Sequence, residues 1–197
     1  MADKNRTVAV ILLAAGESRR YGGIKLLDEI VDGKKMYLHA LRILKEIKAA
    51  EKVVVTGYQE IQETAEGWGI KTVRNDQPKL GISRSLQMGL RKVLEHSPEI
   101  DGVLFLVCDQ PYLSVKTVNQ MLAAFCRSEK EILCPVPLGG SLENAGNPCV
   151  IGKRYFDELF ALTGDVGGKK VIFRHTEEIE LFPIEIEKEL VDIDTKK

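Results

Sequence analysis

The chain has 197 residues, of which 44% are hydrophobic and 29% charged. This length and composition predict one soluble domain, 1–197, that folds around its own core, and we place no domain boundary within it. The near balance of 28 basic and 29 acidic residues argues against a protein that coats nucleic acid or an anionic membrane. No apolar run is long enough to span a bilayer and the start lacks the flanks of a signal peptide, so we expect a cytoplasmic protein.

Short apolar runs alternate with helical periodicity along the chain. The continuous apolar run 8–13 predicts a strand buried on both faces, as in a parallel sheet that helices cover on either side. Further strands are predicted at 53–56, 70–74, 103–107, 132–136, 149–151, 179–184 and 190–193. Helices are predicted at 37–47, 59–68, 86–94, 115–125 and 156–160, with Ser83 and Ser114 as N-terminal caps of the third and fourth. This alternation predicts an α/β, Rossmann-like fold with a mostly parallel sheet and helices on both faces.

The sequence gives little support for a redox-active cysteine site or a zinc site. The four cysteines form no Cys-x-x-Cys pair, and the three histidines are scattered outside any zinc-binding spacing. We interpret the cysteines as buried or free thiols.

The segment 13–25, which follows the first strand, carries the strongest chemical signal. It reads Leu-Ala-Ala-Gly-Glu-Ser-Arg-Arg-Tyr-Gly-Gly-Ile-Lys. In open α/β sheets, ligands bind beyond the carboxyl ends of the strands. Glycines let the backbone approach a ligand closely, and Arg19, Arg20 and Lys25 add positive charge, so the loop suits a polyphosphate. Composition alone is equally compatible with a solvated basic loop.

Three familiar motifs are absent from the chain. There is no Walker A sequence, no Gly-x-Gly-x-x-Gly fingerprint and no Gly-x-Ser-x-Gly elbow. The sequence therefore lacks the usual signatures of P-loop NTPases, of NAD- or FAD-binding enzymes and of α/β-hydrolases.

Segment 13–25 resembles the Leu-Ala-Ala-Gly-x-Ser-x-Arg-x-Gly-x-x-Lys signature of small nucleotidyltransferases, and best matches the branch of the molybdenum cofactor cytidylyltransferases. Those enzymes move a nucleoside monophosphate from an NTP to a phosphorylated acceptor and release pyrophosphate. The resemblance extends to the segments 81–89, 108–111, 146–148, 164–167 and 192–195. One departure is Gly168-Lys169, where the family often has Ala-Arg. The departure matters because a lysine cannot make the bidentate phosphate contact of an arginine.

The resemblance implies that the N-terminal half binds the NTP and the C-terminal half binds the acceptor. The implied catalytic residues are Arg20, Lys25 and Asp109. The implied nucleotide contacts are Leu13, Ala14, Ala15, Gly16, Lys25, Asn75, Ser85 and Asp109. Mg²⁺ is the implied cofactor, held by Asp109 and Asp194 with Asp192 as the alternative second ligand. Asn147 and Asp165 are the implied acceptor contacts.

Several of these residues also have purely structural interpretations. Asp109 and Asp165 are common residue types in turns, and Asn75 or Asp76 could cap the turn after the third strand. Ser85 could bond only to the start of its own helix.

The predicted reaction transfers CMP from CTP to the terminal phosphate of molybdopterin that bears molybdenum, for delivery to a molybdenum hydroxylase. Ala15 stands where guanine-using relatives tend to have glycine, and its methyl group favours the smaller cytosine. The alternatives are a guanylyltransferase for the same pterin, a sugar- or polyol-phosphate nucleotidyltransferase, and a non-catalytic carrier of the finished cofactor. Lys25 and Asp109 argue against the carrier.

Overall fold

The computed structural model describes residues 6–18 and 21–193. Its strands are β1 (Val8–Ala14), β2 (Glu29–Val31), β3 (Lys34–Lys35), β4 (Glu51–Thr56), β5 (Lys71–Arg74), β6 (Gly102–Val107), β7 (Ile132–Pro137), β8 (Cys149–Gly152) and β9 (Ile179–Ile184). Its helices are α1 (Met36–Glu46), α2 (Gln59–Gly67), α3 (Ile82–His96), α4 (Val115–Arg127), α5 (Phe156–Phe160) and α6 (Lys169–Ile172).

Seven strands form one sheet in the order β5-β4-β1-β6-β8-β7-β9. Among the described strands of this sheet, β8 alone runs antiparallel to its neighbours β6 and β7. Strand β1 lies between β4 and β6, and its residue Leu13 pairs with Val107 of β6. The loops that follow these two strands therefore start side by side, at the edge where α/β sheets bind ligands. The α/β, Rossmann-like prediction is confirmed.

Helices cover both faces of the sheet, as predicted. Val10 and Leu12 of β1 pack into the core that α1, α2 and α4 cover. Ala9 and Ile11 point to the opposite face and pack into the core that α3, α5 and α6 cover. Because successive side chains of a strand alternate between faces, a strand buried on both sides reads as a continuous apolar run.

Helix α3 packs closely against the sheet at Gly89. A Cβ atom at Gly89 would meet Ile11 Cγ2 at 2.5 Å and Val55 Cγ2 at 3.0 Å, so only glycine permits this approach. The close packing fixes the N-terminal end of α3, which carries Ser83 and Ser85, beside the carboxyl end of β1.

Two sequence predictions are corrected here. Residues 190–193 do not form a strand: a 3-10 turn, Glu187–Leu190, is followed by irregular chain, in which the Ile193 amide donates to the Asp109 carbonyl at 2.9 Å. Ser83 does not cap α3 either. The cap position is Gly81, and the Ser83 hydroxyl donates instead to the carbonyl of Gly164 at 2.8 Å.

The cap predicted at Ser114 is confirmed, since its Oγ accepts a hydrogen bond from the amide of Thr117 at 3.1 Å. The sequence analysis missed the β2–β3 hairpin and helix α6. Among the residues that the structure describes, no helix combines the length and the apolar character that crossing a membrane requires.

Candidate active site

A cleft of about 480 Å³ opens at the carboxyl ends of β1 and β6. Its walls come from the loop after β1, from the segment 78–85 that leads into α3, and from residues 107–109 at the end of β6. Asp165 closes one side of the cleft. The three segments are far apart in the chain and meet because the sheet places β1 beside β6 and α3 packs closely over β1.

Lys25 and Asp109 form an ion pair in this cleft, with Lys25 Nζ 3.1 Å from Asp109 Oδ2. The lysine side chain is 10% exposed and the carboxylate 29% exposed. Charges held in a partly dry cleft interact with each other and with a ligand more strongly than they would at an open surface. The backbone of Asp109 is also fixed, because its carbonyl accepts the amide of Ile193.

The backbone at the end of β1 and in the loop after it is held by two side chains, one from the end of β4 and one from the residues that follow it. The Thr56 hydroxyl donates to the Ala14 carbonyl at 2.9 Å, and the Tyr58 hydroxyl donates to the Gly16 carbonyl at 2.8 Å. Burial is the main cause that raises the pKa of Tyr58 above its ordinary value, and the Glu17 carboxylate adds to the effect. The phenol therefore remains protonated and able to donate at neutral pH.

Gly16 has no structural need to be glycine. A Cβ atom built on it meets nothing within 4 Å, and its φ lies outside the left-handed region. The missing side chain instead leaves the backbone of the cleft wall open to a ligand.

Asn75 and Ser85 are joined, but only Ser85 lines the cleft. The buried Asn75 amide donates to the Ser85 hydroxyl at 2.9 Å, and its Oδ1 accepts from the Gln77 amide at 3.1 Å and from Arg84 Nε at 3.2 Å. Because Ser85 Oγ already accepts from Asn75, the serine proton is left to donate elsewhere.

The loop that carries Asp165 is fastened to the start of α3. The Gly164 carbonyl accepts hydrogen bonds from the Ser83 amide at 3.3 Å and from the Ser83 hydroxyl at 2.8 Å. Gly81, at φ 93°, lies so close that a Cβ atom on it would be 2.2 Å from the Gly164 carbonyl. A glycine at 81 is therefore needed both for its backbone angle and for this contact.

Seven of the residues predicted for the site line the cleft: Leu13, Ala15, Gly16, Lys25, Ser85, Asp109 and Asp165. Three do not. Ala14 is buried in the sheet, Asn75 lies behind Ser85, and Asn147 contributes only its backbone carbonyl, to Gln110 Nε2 at 3.0 Å. Arg20 and Asp194 lie outside the described residues.

The structure adds residues that the sequence analysis missed. Pro78, Lys79 and Ile82 line the cleft, and the glycine motif beginning at Gly81 was a signal that could have identified them. Tyr58 had no such signal, because its role depends on the pairing of β1 with β4.

The donor set fits a hard divalent cation that arrives with its ligand. Within residues 6–18 and 21–193, no cluster of three or more His, Cys, Asp or Glu side chains forms a metal cage. Mg²⁺, however, is commonly held by one or two carboxylates together with substrate phosphates, and Asp109 supplies one such carboxylate at the cleft. All four cysteines are free, and burial raises the pKa of Cys108 far above its ordinary value, so that thiol stays protonated.

Sequence comparison finds known proteins that are similar to part of this chain. A probable molybdenum cofactor guanylyltransferase from Thermococcus sibiricus is 29% identical over 134 residues, which cover 68% of this chain and 64% of that one. The bifunctional protein GlmU from Streptomyces avermitilis is 31% identical over 125 residues, which cover 60% of this chain and 25% of that one. The chain thus spans less than two thirds of the length of either relative.

Two solved structures share the fold. A nucleotidyl transferase from Methanothermobacter superposes with a TM-score of 0.77 at 22% identity, covering 96% of this chain and 92% of that one. The Rv0371c protein from Mycobacterium tuberculosis, solved as a manganese complex, gives a TM-score of 0.70 at 19% identity, covering 91% of this chain and 89% of that one.

The family model described as the MobA-like NTP transferase domain matches residues 10–179, a range that contains every described residue lining the cleft. The chain therefore belongs to the MobA-like NTP transferase family.

Proposed function

We propose that the chain transfers CMP from CTP to the terminal phosphate of molybdopterin that bears molybdenum, with release of pyrophosphate. The observation that carries this proposal is the ion pair of Lys25 and Asp109 in a cleft formed where β1 and β6 end. The pair combines a cation that can neutralise phosphate charge with a carboxylate suited to a divalent metal. Family membership supports the transferase chemistry, and the guanylyltransferase relative supports the pterin acceptor.

On the nucleotide side, the triphosphate lies along the β1 loop. The open backbone at Gly16 admits the phosphates, and Tyr58 holds the Gly16 carbonyl so that the loop keeps its shape. Lys25 stabilises negative charge at the α-phosphate as the bond to the leaving pyrophosphate breaks. Arg20 is proposed as a further contact of the triphosphate.

The metal that accompanies the nucleotide is proposed to be Mg²⁺, held by Asp109 and, from the C-terminal segment, by Asp194 or Asp192. When bound, it would supply positive charge that offsets the negative charge of the phosphates. Asp109 is preorganised for this role, because Lys25 fixes its carboxylate and Ile193 fixes its backbone.

On the acceptor side, a phosphate oxygen of the pterin attacks the α-phosphorus in line with the departing pyrophosphate. A phosphate monoester is largely ionised at neutral pH, so the attacking oxygen carries its own lone pair and charge and needs no side chain as general base. The main task of the protein is then to bring two anions together. Asp165 and the 146–148 turn are proposed to orient the acceptor, with Lys169 as a nearby cation.

CTP is the proposed donor because of Ala15, which lines the cleft and is buried. Its methyl group takes space that a glycine would leave for a purine, an effect of about 1–3 kcal/mol at most. Hydrogen bonds to the base edge from the Ser85 hydroxyl would add to this selectivity. GTP is the second candidate donor, since the named relative is a guanylyltransferase. The proposed recipient of the product is a molybdenum hydroxylase.

A pyrophosphate-release assay tests the proposal. CTP and GTP are each offered with Mg²⁺ and with molybdenum-loaded molybdopterin, a sugar phosphate or a polyol phosphate. We expect pyrophosphate release that depends on the pterin and is faster with CTP. Release that depends on a sugar or polyol phosphate instead would reject the pterin as acceptor, and binding of the finished dinucleotide without turnover would indicate a carrier.

A further inference from the structure

Gln110 directly follows Asp109 and joins three separate parts of the chain. It is only 2% exposed. Its Nε2 donates to the Asn147 carbonyl at 3.0 Å and to the Leu190 carbonyl at 3.4 Å. The Asn147 carbonyl belongs to the turn before β8, and Leu190 ends the 3-10 turn Glu187–Leu190. One side-chain amide therefore connects the Asp109 loop, the 146–148 turn and the C-terminal segment.

The orientation of this amide is asymmetric. Among the residues that the structure describes, Gln110 Oε1 is the one buried side-chain N or O atom that has no hydrogen-bond partner. Turning the amide over would place Oε1 against two carbonyl oxygens and lose both N–H bonds. The fold thus accepts an unpaired oxygen, which costs free energy, and retains the two donors. The two N–H donors of the Gln110 amide are therefore the groups that form its hydrogen bonds at this position.

The C-terminal segment is also attached to the Asp109 loop at two further points. The Ile193 amide donates to the Asp109 carbonyl at 2.9 Å, and the buried carboxylate of Glu189 accepts the Ser114 amide at 3.0 Å. Asp192 lies between these two attachments in the chain, so its backbone position follows that of the Asp109 loop. The Gln110 amide therefore bonds to both the 146–148 turn and segment 189–193.

We propose that Gln110 is a positioning residue that sets the distance between the acceptor and the metal-bound nucleotide. It does so by holding the 146–148 turn and segment 189–193 against the Asp109 loop. The inference rests on the proposed function, in which the 146–148 turn orients the acceptor and Asp109 holds the metal. Gln110 itself does not belong to the cleft lining.

The test compares Gln110→Met with Gln87→Met. Gln87 also donates from Nε2 to backbone carbonyls, those of Leu159, Phe160 and Leu162, but it lies outside the cleft lining. Both substitutions remove amide donors at similar side-chain volume. We expect Gln110→Met to lower kcat/KM for the acceptor by about 10- to 100-fold, as for the loss of an outer-shell partner of a metal ligand, while the KM for CTP rises by no more than the roughly tenfold that weaker metal binding causes. Gln87→Met should change neither constant to this extent.

A second readout does not depend on turnover. Binding of Mn²⁺ with a non-hydrolysable CTP analogue is followed by electron paramagnetic resonance, and Gln110→Met should weaken the Mn²⁺ affinity about tenfold relative to Gln87→Met. Equal affinities and equal kinetic losses in the two variants, compared at matched melting temperatures, would overturn the proposal and leave Gln110 a structural residue.

If Gln110→Met does not fold, hydrogen exchange on the unmodified chain decides the question. Peptides that cover 107–112, 145–149 and 188–193 should gain protection together when Mn²⁺ and the CTP analogue are added. Independent changes in these peptides would overturn the proposal. Absence of pterin-dependent pyrophosphate release in the unmodified chain would instead reject the proposed function, while the binding and exchange results would still decide whether Gln110 couples the three segments.

Discussion

Lys25 and Asp109 are separated by 84 residues in the chain, yet their side chains form a hydrogen-bonded ion pair of 3.1 Å. Their proximity follows from the register of two parallel strands, since Leu13 of β1 and Val107 of β6 are paired and each strand then leads into its loop. The pair lies in the cleft where the nucleotide is proposed to bind.

Asp109→Asn is expected to abolish most of the activity and to preserve the fold. The amide has nearly the same shape, but it is a much weaker ligand for Mg²⁺. We expect kcat to fall by at least about 100-fold, because several kcal/mol of charge stabilisation depend on the metal. Asp76→Asn is the matched control, since Asp76 is an exposed acid outside the cleft lining. A folded Asp109→Asn enzyme with normal turnover would show that Asp109 is not a ligand of the metal.

Lys25→Ala is expected to lower turnover more than it weakens NTP binding. If the lysine stabilises charge that develops at the α-phosphate, its removal should lower kcat by about 10²- to 10³-fold. Lys79→Ala makes the same change of charge at an exposed residue of the same cleft. We expect Lys79→Ala to act mainly on the KM for NTP. Steady-state kinetics with both variants test whether Lys25 stabilises the transition state. An unchanged kcat in Lys25→Ala would show that it does not.

Gly16→Ala is expected to impair NTP binding without loss of stability. The added Cβ atom meets no protein atom within 4 Å and needs no unusual backbone angle, but it narrows the approach to the loop backbone. Gly67→Ala, at the end of α2, also has no atom within 4 Å of its new Cβ and lies outside the cleft lining. Thermal unfolding should be unaffected by Gly16→Ala, while the KM for NTP rises. Equal KM values in both variants would mean that the phosphates do not approach Gly16.

Ala15→Gly is expected to reduce the preference for CTP over GTP. The substitution removes one buried methyl group from the cleft wall, so the ratio of the two kcat/KM values should shift toward GTP by about 10-fold, within the 1–3 kcal/mol that such a group can contribute. The measurement compares both nucleotides in the unmodified and substituted chains. Equal use of CTP and GTP by the unmodified chain would favour the guanylyltransferase alternative.

Much of the fold was predictable because its main strands are buried on both faces. The continuous apolar runs of β1 and β6 indicated a covered parallel sheet, and the structure confirms it. The β2–β3 hairpin and α6 were missed because such short elements carry no periodicity. Residues 190–193 have strand-like composition, but their described backbone hydrogen bonds go to the preceding 3-10 turn and to the Asp109 loop rather than to a strand.

The site was predictable only where one local segment carries the chemistry. The loop 13–25 and Asp109 were singled out from motifs, and the structure places Lys25 and Asp109 together in one cleft. Gln110 and Tyr58 were missed, because their partners lie 37, 80 and 42 residues away in the chain. Ser83 was wrongly predicted to cap α3. Its hydroxyl donates instead to the carbonyl of Gly164, whose proximity the local sequence does not indicate.

The most direct test of nucleotidyl transfer follows the phosphorus atoms of CTP. The chain is incubated with Mg²⁺, molybdenum-loaded molybdopterin and CTP that carries radioactive phosphorus at either the α or the γ position. The account predicts that α label appears in a pterin–cytosine dinucleotide and γ label in pyrophosphate, in equal amounts and only when the pterin is present. Release of γ label as free phosphate, or α label that never joins the pterin, would contradict it.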